Sequence, residues 1–204
     1  TLYVYQNGVY GQAARHNVAV TGGGVTDVGA IALVSETAGP TLWQIGVPDR
    51  SAAEFRNGDD FRQVHLHRRY DEQFPDDVRF TIGQSDPARD WNYYQPGERE
   101  WQILFDMGPP PGAGAVLTIA LAACPYPHKT HLSVTLNDDP VGRLTFDPGD
   151  SALWRLGIYD RYQHRQLPIP RDRIKKGQNV MTLKLNPRRT WVMYDFLRLE
   201  AKGM

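Results

Sequence analysis

A series of short apolar segments separated by turn residues is the feature that most constrains this fold. Most of these segments alternate apolar and polar side chains, as Trp43, Ile45 and Val47 do, and others run apolar throughout. A period of two is typical of β-strands with one buried face. Helix is predicted only as a single turn over 171–177. The spacing predicts an all-β protein with two packed sheets, with strands at 42–47, 78–82, 101–105, 116–122, 131–136, 180–185 and 192–199.

The first 36 residues carry glycine-rich turns at 7–8 and 22–24, which separate predicted strands at 2–5, 16–20 and 30–34. Three strands cannot cover both faces of a sandwich, so this segment is expected to be part of a larger β domain. Because the chain starts inside that module, at Thr1, we expect it to be a piece of a longer protein. Gly39 and Pro40 mark the boundary between two predicted domains, residues 1–39 and 40–204.

Charge and composition exclude some classes of partner. The 204 residues contain 23 Lys plus Arg and 23 Asp plus Glu, so no net field attracts nucleic acid or an anionic membrane. No run of 18 apolar residues predicts a membrane-spanning helix. Cys124 is the only cysteine, which excludes an internal disulfide and predicts a small buried side chain. We therefore predict no nucleic-acid partner and no membrane partner.

The segment 42–55, LWQIGVPDRSAAEF, ends a predicted strand and begins a charged turn. Pro48 ends ladder pairing, and Asp49, Arg50 and Glu54 follow within six residues. Charges at this spacing form either a structural ion-pair cluster or part of a binding site, and the sequence leaves both interpretations open.

The same segment resembles the start of the C-terminal domain of rhamnogalacturonan lyases, polysaccharide lyase family 4, where the pattern reads W-x-I-G-x-P-D-R-x-A-x-E-F. Later motifs follow in the same order: IGQSD at 82–86 with Asp90-Trp91, WQILF at 101–105, LTIALA at 117–122 and MYDFLRLE at 193–200. The resemblance spans about residues 40 to 200. The stretch 125–129 and the loop near Asp59 and Asp60 do not match it.

The resemblance implies a jelly-roll β-sandwich like that of carbohydrate-binding modules for residues 40–204, preceded by the end of a fibronectin type III-like domain. It also implies an accessory, noncatalytic region of a protein that degrades pectin by β-elimination, with catalysis in a separate N-terminal domain. The expected partners are a polysaccharide, namely pectin or rhamnogalacturonan, and that N-terminal catalytic domain. The expected location is extracellular or periplasmic.

Two aromatic segments, residues 90–95 and 154–165, are candidate sugar-binding sites. A sugar presents flat apolar faces and a ring of hydroxyls, so its site needs exposed Trp or Tyr rings with polar groups at their edges. Arginine also suits an acidic sugar, because its planar fork pairs with a carboxylate. The alternative is that these aromatics are core or rim residues of the sandwich. The predicted ligand-binding residues are Arg50, Trp91, Tyr93, Trp154, Tyr159, Arg161, Tyr162 and His164.

Catalytic signatures are missing from the sequence, which has no G-x-S-x-G, no H-E-x-x-H and no phosphate-binding loop, so no catalytic residue is predicted. His65 and His67 have a spacing that could hold a metal, with Asp71-Glu72 just beyond them. The arginine pair after these histidines repels a cation and favours a solvated turn. If the chain itself hydrolysed glycosides, the candidate carboxylates would be Glu54, Asp90 and Asp195.

Asp195 lies in an apolar run, so a buried position would require a partner for its carboxylate. Arg50 is the predicted ion-pair partner. The alternative is a structural calcium ion bound by Asp195 with Glu54 or Asp49, since calcium prefers carboxylate and carbonyl oxygens. No other cofactor is predicted.

Two rival functions stay open at the level of sequence. In the first, this chain is itself a polysaccharide-degrading enzyme that uses Tyr, His and Arg side chains of the aromatic segments. In the second, the sandwich is a structural packing or assembly module without sugar affinity, and it carries an apolar patch in place of exposed aromatics.

Overall fold

The computed structural model describes residues 1–62, 72, 74, 77–97, 99–149, 161–186 and 190–203. Short helices span Gly58–Arg62, Pro87–Asp90 and Arg171–Arg173. The strands are β1 (Leu2–Val4), β2 (Ala13–Arg15), β3 (Thr41–Gly46), β4 (Arg79–Thr81), β5 (Tyr94–Pro96), β6 (Glu100–Met107), β7 (Ala115–Ala123), β8 (Thr130–Leu136), β9 (Asp139–Phe146), β10 (Gln163–Ile169), β11 (Gly177–Asn186) and β12 (Trp191–Ala201).

Two five-stranded sheets form the sandwich within this part of the chain. The first sheet has the order β10-β7-β12-β3, with β5 beside β12, and the second has the order β4-β6-β11-β8-β9. Neighbouring strands are antiparallel except β4 and β6, which are parallel. Apolar side chains from both sheets form one core cluster. The predicted all-β, jelly-roll β-sandwich is therefore confirmed.

The predicted strands from 42–47 to 192–199 are found as β3, β4, β6, β7, β8, β11 and β12. The structure adds β5, β9 and β10, which the sequence pattern did not predict. Strand β10 reads QHRQLPI, which has little alternation. It is a strand because it pairs with β7, and the local pattern does not show that contact. Strand β9 follows a tight turn at Asn137 and Asp138, whose φ angles of 55° and 70° suit a two-residue hairpin.

The N-terminal segment, residues 1–39, contains the two-stranded sheet of β1 and β2, in which Leu2 pairs with Arg15. The strands predicted at 16–20 and 30–34 are wrong, since both stretches are irregular. Their apolar residues are largely exposed, as Val20 is at 85% and Val34 at 77%. An isolated stretch gains little from strand geometry when no neighbour completes its hydrogen-bond ladder.

Aromatic rings bridge the two sheets inside the sandwich. The Trp91 centroid lies 4.9 Å from that of Trp101 on β6 and 5.4 Å from that of Tyr194 on β12. Trp91 is 0% exposed and Tyr93 is 1% exposed. The prediction that Trp91 and Tyr93 act as exposed sugar platforms is therefore wrong, because burial of such large rings in the core is strongly favourable.

Strand β12 contains a β-bulge at Asp195. Tyr194 pairs with Leu121 and Phe196 pairs with Ala120, so Asp195 is the extra residue on the β12 side of this pair. The bulge allows Tyr194 to join the sandwich core and Phe196 to join a second apolar cluster on the other face of the sheet. A bulge re-aims the side chain that it contains, and here that side chain is a carboxylate.

The N-terminal segment packs on the outer face of the first sheet. Tyr10 is 1% exposed, and its ring lies 5.0 Å from Phe196. The Thr37 hydroxyl donates to Glu200 Oε1 at 2.7 Å, and the Ala38 amide donates to Glu200 Oε2 at 3.2 Å. These contacts bury Phe196 and Glu200, two residues of β12 that would otherwise face water.

Cys124 is buried in the core cluster, as predicted. Among the described elements, no helix has both the length and the apolar character needed to cross a bilayer.

Candidate functional site

A cavity of about 570 Å³ lies where the N-terminal segment meets the start of β10. Described residues from four parts of the chain surround it, so no single strand or loop forms the site. The lining residues are Tyr3, Gly11, Gln12, Arg50, Asp147, Arg161, Tyr162, Gln163, His164 and Arg165.

Arg50 lies between two aromatic rings at one wall of this cavity. Its guanidinium carbon is 3.9 Å from the centroid of the Tyr5 ring and 4.7 Å from that of the Tyr162 ring. Its Nη2 donates a 2.8 Å hydrogen bond to Gln12 Oε1. Two rings and one amide oxygen therefore fix the plane of the guanidinium.

Asp195 holds the backbone of the loop that carries Arg50. Its Oδ1 accepts hydrogen bonds from the Asp49 amide at 2.9 Å and the Arg50 amide at 2.7 Å. Arg50 has a φ of 68°, a left-handed conformation that is uncommon for this residue type. The predicted ion pair of Asp195 with Arg50 is thus corrected in its chemistry, because Asp195 accepts from the Arg50 backbone amide while the Arg50 guanidinium donates to Gln12.

Glu54 fixes the same loop, residues 47–55, from its other end. Its Oε1 accepts a 2.7 Å hydrogen bond from the Val47 amide. Burial raises the pKa of Glu54 to about 7 and the pKa of Asp195 to about 7, and it also raises the pKa of Asp49. Glu54 Oε2 and Asp195 Oδ2 are buried, and neither has a hydrogen-bond partner within the described residues.

The predicted calcium ion would bind to Asp195 together with Glu54 or Asp49. Within the described ranges, no group of three or more His, Cys, Asp or Glu side chains is arranged to hold a metal ion. The hydrogen-bonded oxygens of Glu54 and Asp195 accept from backbone amides. Calcium binding by Asp195 with Glu54 or Asp49 stays a prediction.

Another wall of the cavity is built around Arg165. Its side chain donates to Thr145 O at 3.0 Å, to His164 O at 2.8 Å and to Asp147 Oδ2 at 3.3 Å. Asp147 also lies 3.7 Å from Lys129 Nζ. Arg165 is therefore occupied by contacts within the protein, and the charge of Asp147 is shared by two cations.

Tyr162 and His164 connect this wall to the docked N-terminal segment. The Tyr10 and His164 ring centroids are 5.2 Å apart, and those of Tyr162 and His164 are 5.9 Å apart. Burial lowers the pKa of His164, which favours the neutral imidazole. Burial, followed by the nearby Asp195 charge, raises the pKa of Tyr162, so its phenol stays protonated.

The structure brings four of the predicted ligand-binding residues together: Arg50, Arg161, Tyr162 and His164 line one cavity. Trp91 and Tyr93 lie in the sandwich core. Trp154 and Tyr159 lie outside the described residues, as do His65 and His67.

Sequence reasoning did not identify the contribution of the N-terminal segment to this cavity. Tyr3 and Tyr5 are 56% and 39% exposed, and Tyr3 lines the cavity beside Gln12. The alternation of two tyrosines, at positions 3 and 5, was an available signal, since such residues share one side of an extended chain. Nothing in the sequence indicated that they would lie beside Arg50.

Each candidate hydrolytic carboxylate has at least one oxygen engaged by a contact within the protein. Asp90 ends the short helix Pro87–Asp90 and forms an ion pair with Arg89 at 2.7 Å. Hydrogen bonds from Arg89 lower the pKa of Asp90 to about 2. Glu54 and Asp195 accept from backbone amides of the Arg50 loop, which is a structural role.

Comparison with known proteins relates this chain to polysaccharide lyases. Rhamnogalacturonate lyase from Dickeya dadantii is 35% identical over 78% of this chain and 28% of its own length. Probable rhamnogalacturonate lyase B from Aspergillus fumigatus is 30% identical over 98% of this chain and 39% of its own length. The chain thus spans between 28% and 39% of the length of these relatives.

Among solved structures, a family 35 carbohydrate binding module from an environmental isolate aligns with a TM-score of 0.41 at 16% identity, over 63% of this chain and 85% of its own. The CBM36-1 domain of a xylanase from the hindgut metagenome of Trinervitermes trinervoides aligns with a TM-score of 0.39 at 6% identity, over 53% of this chain and 75% of its own. Residues 41–199 match the family described as CBM-like, polysaccharide lyase family 4, domain III. The chain therefore belongs to this family of CBM-like lyase domains.

Proposed function

We propose that this chain is the accessory carbohydrate-binding region of a rhamnogalacturonan-degrading lyase, and that its cavity binds the acidic pectic polymer. The observation that carries this proposal is the composition of the cavity wall, where the exposed Tyr3 ring lies with Arg50, Tyr162 and His164. An aromatic face packs on a sugar ring, and the polar groups beside it bind hydroxyls and carboxylates. The names of the curated relatives support rhamnogalacturonan as the polymer.

In this proposal, β-elimination belongs to a separate N-terminal catalytic domain of the parent protein. The chain spans between 28% and 39% of its relatives' length, which leaves room for such a domain in proteins of that size. Residues 1–39 would be the end of a fibronectin type III-like domain, and the sandwich would pack against the catalytic domain while it holds the polymer. The protein would act outside the cytoplasm, where pectin is found.

Calorimetric titration of the chain with rhamnogalacturonan oligomers tests this function, with absorbance recorded for unsaturated product. We expect saturable heat without product. Product formation would show that the chain is an enzyme, and the absence of heat would support the packing or assembly role. A parallel titration with a chelator tests the predicted calcium ion, because loss of binding or of stability on chelation would reveal a metal.

A further inference from the structure

Resting on the proposed function, we propose that Arg50 is the receptor for the carboxylate of an acidic sugar residue, and that the N-terminal segment completes this receptor. The polysaccharide site would then recognise charge as well as sugar shape. The proposal depends on the free donors of Arg50, on its fixed orientation and on the charge around it.

Arg50 has hydrogen-bond donors available for a ligand. A guanidinium carries five N–H donors, and within the described residues Arg50 uses one side-chain donor group, Nη2, on Gln12. The Tyr5 and Tyr162 rings cover its faces and accept no conventional hydrogen bond there. The remaining donors therefore lie in the plane between the rings, which is the direction from which a carboxylate binds in bidentate fashion.

The orientation of Arg50 is fixed before any ligand arrives. Its backbone amide is bound by the buried Asp195 carboxylate at 2.7 Å, and its side chain is enclosed by the two rings. A long arginine side chain normally loses rotamer entropy when it binds a ligand. Here the fold has already ordered the Arg50 side chain, so less entropy is lost on binding and the affinity for a carboxylate is higher.

The charge around the cavity favours an anion. Among the described lining residues, Arg50, Arg161 and Arg165 lie together with one carboxylate, Asp147. Asp147 lies 3.3 Å from Arg165 and 3.7 Å from Lys129, so its charge is already compensated. At Arg50, whose guanidinium contacts an amide oxygen and two rings, a ligand carboxylate therefore meets a positive charge.

The receptor takes residues from both parts of the chain. Tyr5 and Gln12 belong to the N-terminal segment, whereas Tyr162 precedes β10 of the sandwich. Without the N-terminal segment, Arg50 would lose one of its two rings and its hydrogen-bond acceptor. Recognition of the carboxylate thus depends on this segment being docked.

The test compares a rhamnogalacturonan oligomer with the same oligomer after its carboxylates have been reduced to alcohols. We expect the intact oligomer to bind about 10-fold to 100-fold more tightly, as is typical of a charge-assisted contact. Equal binding of both oligomers would overturn the carboxylate receptor and leave the polysaccharide-binding function standing. If neither oligomer bound, the proposed function itself would fail and this inference with it.

Variants then assign the effect to Arg50. Arg50→Lys keeps the positive charge but loses the planar fork, so we expect affinity for the intact oligomer to fall about tenfold, with unchanged affinity for the reduced oligomer. Tyr5→Leu should weaken only the intact oligomer by several-fold. Arg89→Lys, on the short helix Pro87–Asp90 and outside the cavity lining, is the matched control and should change neither affinity. Unchanged binding in Arg50→Lys, with an unchanged melting temperature, would contradict the assignment.

Discussion

At the scale of single residues, Asp195 is a carboxylate placed where its charge is costly. Its Oδ1 accepts from two backbone amides, while Oδ2 is buried without a partner in the described part of the chain. The apolar run around Asp195 predicted from sequence that this carboxylate would need a partner. The partner is the backbone of residues 49 and 50, which the sequence did not predict. This contact depends on a β-bulge and on a residue in the left-handed conformation, and neither can be recognised in the pattern of side chains.

The raised pKa of Asp195 predicts how stability changes with pH. Burial raises this pKa to about 7 in the folded protein, whereas an unfolded chain has about 3.9. Between these values the folded state keeps a proton that the unfolded state has released, so stability falls as pH rises from about 4 to about 7. Asp195→Asn keeps an acceptor oxygen without the charge. We expect it to reduce the loss of unfolding free energy between pH 4.5 and pH 8 by about 1–3 kcal/mol.

Chemical denaturation at both pH values measures this difference. Asp90→Asn is the control, because the pKa of Asp90 is lowered to about 2 and its carboxylate is charged across this range. An Asp195→Asn protein with the full wild-type pH dependence would show that Asp195 is ionised in the fold at acidic pH.

At the scale of elements, the connection between β3 and the Arg50 loop depends on Gly46. Its φ is 81°, and a Cβ there would lie 2.4 Å from the Asp195 carbonyl oxygen and 2.7 Å from Phe55 Cζ. Gly46→Ala must therefore displace β12 or the loop as well as strain the backbone. We expect a loss of about 2–4 kcal/mol in unfolding free energy.

Gly83→Ala is the matched comparison for this element. Gly83 has a similar φ of 79°, yet nothing lies within 4 Å of a Cβ placed there. Gly83→Ala should lower the unfolding free energy only by the strain of the left-handed conformation, about 1 kcal/mol. Equal losses in the two variants, measured by denaturant titration, would show that the close approach of β12 to Gly46 does not matter for stability.

The strands were predictable where the sequence either alternates apolar and polar residues, as in β8, or runs mostly apolar, as in β7. In β8 the burial pattern alternates at every residue, which is the period that the sequence carries. In the segment around Trp91 and Tyr93 the aromatics follow no period, and contacts with Trp101 and Tyr194 decide their burial. The sandwich could thus be predicted from local pattern, whereas the cavity could not, because its walls meet only through tertiary packing.

At the scale of the whole molecule, the docking of the N-terminal segment depends on Tyr10. This ring is 1% exposed and packs on Phe196 and His164. We expect Tyr10→Ala to weaken docking by about 3–5 kcal/mol, the usual cost of truncating a buried aromatic side chain. Hydrogen exchange should then accelerate at the amides of Gly8 and Glu36, which bond to Pro48 and Tyr10 carbonyls, while β7 and β12 keep their protection.

Two controls delimit this prediction. Tyr10→Phe keeps the ring and should leave exchange at both amides close to that of the unmodified protein. Tyr126→Ala removes a ring that is 56% exposed and should have no effect on docking. Faster exchange throughout the sandwich in Tyr10→Ala would mean that the two parts of the chain unfold as one unit.

Because the cavity lies between the N-terminal segment and the sandwich, ligand binding is coupled to the docking of the N-terminal segment. A ligand that contacts both walls binds the docked arrangement in preference to the undocked one, so binding and docking must favour each other by the same factor. At a free concentration of one hundred times its dissociation constant, such a ligand would stabilise docking by about 2.7 kcal/mol. Under the proposed function, a polysaccharide bound in the cavity would therefore also be a structural ligand that holds the N-terminal segment against the sandwich.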